Sequence, residues 1–137
     1  MKFFRFWGPA IVWMAIIFLA STRESVQVSD EFTINFLFFK TLHVIEYAIL
    51  FTLYYRALRN TLDRKNIVVL LTTAFVMTIL YAISDEFHQT LVPTREGKVR
   101  DVIIDALGAL LSWISIAILL PKAPKKLQSW AKSLHIL

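Results

Sequence analysis

The side chains best suited to chemistry in this sequence are carboxyl, imidazole and guanidinium groups that lie close together between Ser84 and Ala109. Carboxyl and imidazole groups are common general acids and bases, which makes Glu86 and His88 the candidate catalytic residues. Arginine and lysine bind phosphate or carboxylate, whereas carboxylates accept hydrogen bonds from hydroxyl and amine groups. The other polar residues of this region, with three from earlier in the chain, are candidate ligand-binding residues: Lys40, His43, Glu46, Asp85, Gln89, Arg95, Asp101 and Asp105.

Helical spacing places several of these residues on shared faces. Tyr81, Asp85, His88 and Gln89 follow an i, i+4, i+7, i+8 pattern, while Glu86 lies about 100° away around the helix. Pro93 ends that helix, because proline cannot continue the hydrogen-bonded backbone. On the next helix an acidic residue and small residues share a face, where a neighbouring helix can approach closely: Asp105, Gly108 and Ser112.

A metal site is an alternative use of the same residues. Five of them offer the nitrogen and oxygen ligands that zinc or manganese accepts: His43, Glu46, Asp85, Glu86 and His88. No HExxH or comparably tight motif is present. We therefore predict no metal and no cofactor, and keep a divalent metal as the alternative. A serine hydrolase is disfavoured, because Ser84 lacks a nucleophile elbow.

Composition indicates a membrane protein. Of the 137 residues, 57% are hydrophobic and 18% are charged, whereas soluble domains average about half apolar and a quarter charged. Four apolar blocks, near residues 6–20, 41–58, 67–83 and 102–120, are each long enough to cross a bilayer. We predict one all-α, polytopic membrane domain over residues 1–137. The second span could instead begin near Ile34 and leave Lys40, His43 and Glu46 inside the membrane; otherwise Phe32–Phe39 lies along the interface.

Basic residues predict the orientation of the spans. Ten of the 15 lysines and arginines, with the single acid Asp63, fall before span one, between spans two and three, or after span four. By the positive-inside rule this side is cytoplasmic, so both termini are inside. A cleaved signal peptide over Met1–Ala20 is disfavoured, because its removal would leave three spans. The basic, amphipathic tail at residues 122–137 is predicted as an interfacial helix or as a frayed end. The ten basic residues are Lys2, Arg5, Arg56, Arg59, Arg64, Lys65, Lys122, Lys125, Lys126 and Lys132.

The candidate residues should meet at the outer surface, because successive spans alternate in direction. The start of span two, the end of span three and the start of span four then lie at one depth. A charge at the centre of a membrane helix costs about 2.5–3.5 kcal/mol, so these groups must be paired, hydrated or bound to a ligand. The functional interpretation is an outward-facing site. The structural alternative is a hydrogen-bonded network, in which Arg100 and Asp101 anchor a helix at the interface.

The segments KTLHVIEYAIL and SDEFHQTLVPTREGKVRDVIIDALGALLS resemble the VanZ-like family of small bacterial membrane proteins. The family pattern matches Lys40, His43 and Tyr47, then Asp85, Glu86 and Gln89, then Pro93 and Arg95, and finally Asp101, Asp105 and Gly108. Arg23, in the TR after span one, fits loosely. Asp105 stands where the family usually has Asn.

The resemblance implies a four-helix protein of the bacterial cytoplasmic membrane and a role at the cell envelope. The member that gives the family its name is linked to resistance against teicoplanin. We predict a site that binds or modifies a membrane lipid or lipid-linked envelope precursor, whether or not it is an enzyme. The alternative is a non-catalytic accessory protein that packs against an envelope enzyme. No nucleic-acid partner is expected, transport is disfavoured and a homodimer is possible.

Overall fold

A computed structural model describes residues 2–22, 31–63, 66–93, 95 and 97–137. All regular structure in these residues is helical. Four helices are long and apolar enough to cross a membrane, which confirms the predicted all-α fold with four spans. The helices are α1 (Lys2–Ser21), α2 (Phe32–Thr61), α3 (Ile67–Gln89), α4 (Val99–Ile114) and α5 (Lys125–Ser133). A π-helical turn and a 3-10 turn prolong α4 to Lys122.

The second helix is longer than the predicted block at 41–58. It begins at Phe32 and continues without proline or glycine to Thr61, over 30 residues. At 1.5 Å per residue it measures about 45 Å, which exceeds a hydrocarbon core of about 30 Å. The apolar stretch before Lys40 therefore belongs to the same helix, as the alternative with an early start predicted.

The core lies along α2, which packs against α1, α3 and α4. Tyr47, Phe51 and Tyr55 form one fully buried stripe at i, i+4 and i+8. Large apolar side chains on the outside of the bundle are exposed, such as Leu80 and Leu111. An exposed apolar surface of this kind indicates contact with lipid rather than with water.

Helices α2 and α4 approach each other closely at Gly108. A Cβ atom on Gly108 would collide with the carbonyl group of Val44. One turn further along, Ser112 Oγ donates to the carbonyl oxygen of Ala48 at 2.9 Å. The absence of a side chain at Gly108 thus brings the beginning of α4 against α2, as the small-residue face predicted.

The C-terminal tail contacts the opposite end of the bundle. Arg56 Nε donates to the carbonyl oxygen of Leu134 at 2.7 Å, and Asn60 Nδ2 donates to that of His135 at 3.0 Å. The His135 ring also packs edge-on against Phe6 of α1. The tail is therefore an ordered helix with a docked end. Three basic residues of the sequence interpretation, Arg23, Arg64 and Lys65, lie outside the described residues.

Candidate functional site

The end of α3 and the start of α4 meet the first half of α2, where they form what we call the polar cluster. Five of its side chains are buried: Asp85, Glu86, Gln89, Asp101 and Asp105. The first half of α2, the end of α3 and the start of α4 supply all members but one, and Arg95 comes from the segment between α3 and α4. The cluster contains Lys40, His43, Glu46, Asp85, Glu86, Gln89, Arg95, Asp101 and Asp105.

Two contacts between basic and acidic groups join α2 to α4. Lys40 Nζ lies 2.5 Å from Asp101 Oδ2, and the two side chains are 18% and 11% exposed. One turn deeper, His43 Nδ1 lies 3.0 Å from Oδ1 of Asp105, whose side chain is 0% exposed. Arg100 Nε is 3.6 Å from the other oxygen of Asp101. The spacing of these residues, three along α2 and four along α4, matches successive turns of adjacent helices.

The end of α3 is tied to the segment that follows it. Gln89 Nε2 donates to Asp85 Oδ2 at 3.0 Å, and Gln89 Oε1 accepts from Arg95 Nη1 at 3.3 Å. Glu86 Oε2 accepts from the backbone N–H of Lys98 at 2.8 Å. A Cβ on Gly97 would collide with the carbonyl oxygen of Glu86. The glycine thus lets the chain turn back over α3 and deliver the Lys98 amide to Glu86.

Several buried polar atoms of the cluster have no hydrogen-bond partner among the described residues. They are Tyr47 Oη, Asp85 Oδ1, Asp101 Oδ1 and Asp105 Oδ2. An unsatisfied buried acceptor costs about 1–3 kcal/mol, and more when it is charged. Buried polar groups in native proteins are almost always paired. The cluster thus presents buried oxygens that no donor among the described residues satisfies.

The predicted candidates do not all come together. His88 lies outside the cluster: its Nε2 is 3.2 Å from Thr22 Oγ1, and its ring packs on Phe18 with centroids 4.3 Å apart. The sequence analysis placed His88 on one face with Asp85 and Gln89. In the structure the buried face instead includes Glu86 and excludes His88, because α1 occupies the other flank of α3. Glu86 and His88 are thus separated on two sides of one helix.

Two contributors were not among the predicted site residues. Tyr47 entered only through the family pattern, yet its buried hydroxyl belongs to the unpartnered set near Asp85 and Asp105. The backbone amide of Lys98 holds Glu86, and no side-chain pattern reports a backbone donor. The signal that could have indicated it is Gly97, the residue that allows the close turn.

One group of cluster residues has the geometry for a metal ion. A potential ligand atom of each of His43, Glu86 and Asp105 lies within 4.8 Å of the others, one residue from each of three helices. The predicted metal alternative used His43 and Glu86 together with Glu46, Asp85 and His88. Among the described residues, no other group of three potential metal ligands has its ligand atoms within 4.8 Å of one another.

Comparison with known proteins gives the family. A sequence model of the VanZ/LLP1 family matches residues 6–120, which include the whole polar cluster. No curated protein and no solved structure matches the chain significantly. The match covers most of the chain and agrees with the four apolar helices. The chain therefore belongs to the VanZ/LLP1 family of membrane proteins, as its sequence pattern predicted.

Proposed function

We propose that this protein lies in the bacterial cytoplasmic membrane and binds the polar head group of a cell-envelope component at its outer surface. The observation that carries the proposal is the polar cluster. Three helices deliver carboxyl groups to it, and two carboxylates, Asp85 and Asp105, retain a buried oxygen without a described partner.

The chemistry of the cluster suggests which groups the ligand presents. Lys40 is paired with Asp101, whereas Asp85 and Asp105 offer acceptors, which suit hydroxyl or amine donors. Arg95 is partly exposed and, among the described residues, directs two of its five N–H donors to Gln89 and to the carbonyl oxygen of Ala20. The remaining donors suit a phosphate oxygen. A lipid-linked precursor, with phosphate beside sugar hydroxyl or amine groups, combines both requirements.

Glu86 presents one carboxylate oxygen that is held and one that is nearly free of contacts among the described residues. Lys98 N–H fixes its Oε2, while Oε1 has only a 3.5 Å contact with Gln89. A carboxyl group that is oriented at one oxygen can use the other to accept a hydrogen bond from the ligand or to exchange a proton with it. We therefore assign ligand binding to Glu86, and acid–base work if the ligand is also modified.

The direct test is binding of a polyprenyl diphosphate-linked amino sugar to the purified chain, measured by native mass spectrometry. Arg95→Ala and Glu86→Gln each remove a charge-assisted hydrogen bond of about 1.5–3 kcal/mol, so we expect roughly ten- to a hundredfold weaker binding. Arg59→Ala is the matched control, since Arg59 is exposed and contacts Tyr55 at the other end of α2.

Binding that is equal in the native chain and in both cluster variants would contradict the proposal. Native binding in Glu86→Gln alone would contradict the ligand-binding role assigned to Glu86 and leave Arg95 as the supported contact. Teicoplanin susceptibility of a Gram-positive host that expresses each variant at equal membrane level then reports whether the bound component is the target of the drug.

The proposed orientation has its own test, because the chain contains no cysteine. We expect Leu91→Cys, an exposed position just after α3, to react with a membrane-impermeant maleimide in intact cells. We expect Ser129→Cys, exposed on α5, to react only after permeabilisation. The reverse pattern would place the polar cluster on the cytoplasmic side.

A further inference from the structure

His43, Glu86 and Asp105 come from three different helices and meet inside the polar cluster. One potential ligand atom of each lies within 4.8 Å of the others. Nitrogen and oxygen ligands sit about 2.0–2.2 Å from zinc, so two ligands of one ion are at most about 4.4 Å apart. Three ligands spread evenly about one ion are about 3.3–3.8 Å apart, so a separation near 4.8 Å must shorten by roughly 1–1.5 Å, which rotation of these side chains can supply.

The second observation is the state of Asp105. Its side chain is 0% exposed, its Oδ1 contacts His43 Nδ1, and its Oδ2 has no hydrogen-bond partner among the described residues. A buried carboxylate is costly unless a cation or hydrogen-bond donors compensate it. Among the described residues, Asp85 Oδ1 and Tyr47 Oη also have no hydrogen-bond partner. These atoms can hold water molecules that complete the coordination of an ion.

Apart from His43, which contacts Asp105 Oδ1, the basic side chains of the cluster are engaged elsewhere. Lys40 contacts Asp101, and Arg95 donates to Gln89 Oε1 and to the carbonyl oxygen of Ala20. Within the described residues, no lysine or arginine is at ion-pair distance from Glu86 or Asp105. The Lys98 amide meanwhile fixes Glu86 Oε2 at 2.8 Å, an outer contact of the kind that orients metal ligands.

We propose that the polar cluster holds one divalent transition-metal ion, ligated by His43, Glu86 and Asp105. An imidazole with two carboxylates suits zinc or manganese, whereas magnesium and calcium prefer oxygen ligands alone. Three protein ligands leave a coordination position open, as in catalytic zinc sites. This inference does not depend on the proposed function, because the three side chains ligate the ion whether or not a head group is bound.

The test uses the full chain purified in detergent. Bound metal is measured by inductively coupled plasma mass spectrometry, and affinity for Zn²⁺ and Mn²⁺ by competition with a fluorescent chelator. We expect about one equivalent of ion per chain, since one triad is present. Loss of one ligand in Asp105→Asn or Glu86→Gln should weaken binding at least about tenfold. Asp63→Asn, the same chemical change at an exposed position beyond α2, should bind as the native chain does.

Thermal unfolding separates loss of the ion from loss of the fold. The native chain should melt at a higher temperature with Zn²⁺ or Mn²⁺ than with chelator, because an ion that binds only the folded state stabilises it. Asp105→Asn should show a folded transition without this increase. No ion bound to the native chain, or native affinity in both ligand variants, would overturn the inference. Ion binding without head-group binding would leave it intact and contradict the proposed function alone.

Discussion

Replacing Gly108 by alanine is expected to separate α4 from α2 and to lower the free energy of unfolding by about 3 kcal/mol, the upper end of what overpacking costs. The new methyl group would meet the carbonyl group of Val44, and a helix backbone cannot move aside as a flexible side chain can. Separation of the helices would also pull Asp101 and Asp105 away from Lys40 and His43. The measurement is the melting temperature of the purified variant in detergent.

Gly8 provides the matched control for this change. It also lies within a transmembrane helix, α1, but a Cβ atom there would meet nothing within 4 Å. Alanine is the better helix former by about 0.5–1 kcal/mol, so Gly8→Ala should leave the melting temperature unchanged or raise it. Equal effects of the two substitutions would mean that the close approach at Gly108 does not hold the helices together.

Replacing His43 by leucine is expected to cost about 3–5 kcal/mol, the usual penalty for removing one partner of a buried charged pair. Asp105 is 0% exposed and would lose the one contact that its Oδ1 makes with a basic group. Lys40→Met should cost less, because both members of the Lys40–Asp101 pair retain some exposure. Chemical unfolding in mixed micelles, followed by tryptophan fluorescence, compares the two variants.

The double substitution His43→Leu/Asp105→Leu tests whether the stability lost in His43→Leu comes from leaving Asp105 without its partner. Replacing both partners of a buried pair by apolar residues is often neutral or stabilising. We therefore expect the double variant to recover most of the stability that His43→Leu loses, while it fails to bind metal. A double variant as unstable as the single one would show that His43 stabilises the bundle through contacts other than Asp105.

Much of the fold could be predicted from the sequence, because a bilayer imposes a length on every apolar span. The four blocks predicted four helices, and α3 begins at Ile67 as expected. The start of α2 could not be predicted, since the apolar residues Phe32–Phe39 suit both a helix inside the membrane and a segment along its surface. Only the packed bundle, in which α2 is continuous from Phe32, resolves the alternatives.

The membership of the polar cluster was largely predicted, but its internal geometry was not. Alternation of the spans brings the start of α2, the end of α3 and the start of α4 to one level. Which flank of α3 faces inward depends on how the helices rotate about their axes, and Glu86 and His88 lie on opposite flanks of Gln89. The grouping of His43, Glu86 and Asp105 depends on three such rotations at once, which spacing along one chain does not report.

The pairing of α2 with α4 has a consequence for how the protein is made. His43 and Asp105 are 62 residues apart in the chain, and Lys40 contacts Asp101 on the same helix. At about 5–20 residues per second, the ribosome needs about 3–12 s to reach Asp105 after His43 has been synthesised. During that interval the lysine and the histidine of α2 cannot yet contact α4. A nascent chain interrupted before α4 would therefore carry both side chains without these partners.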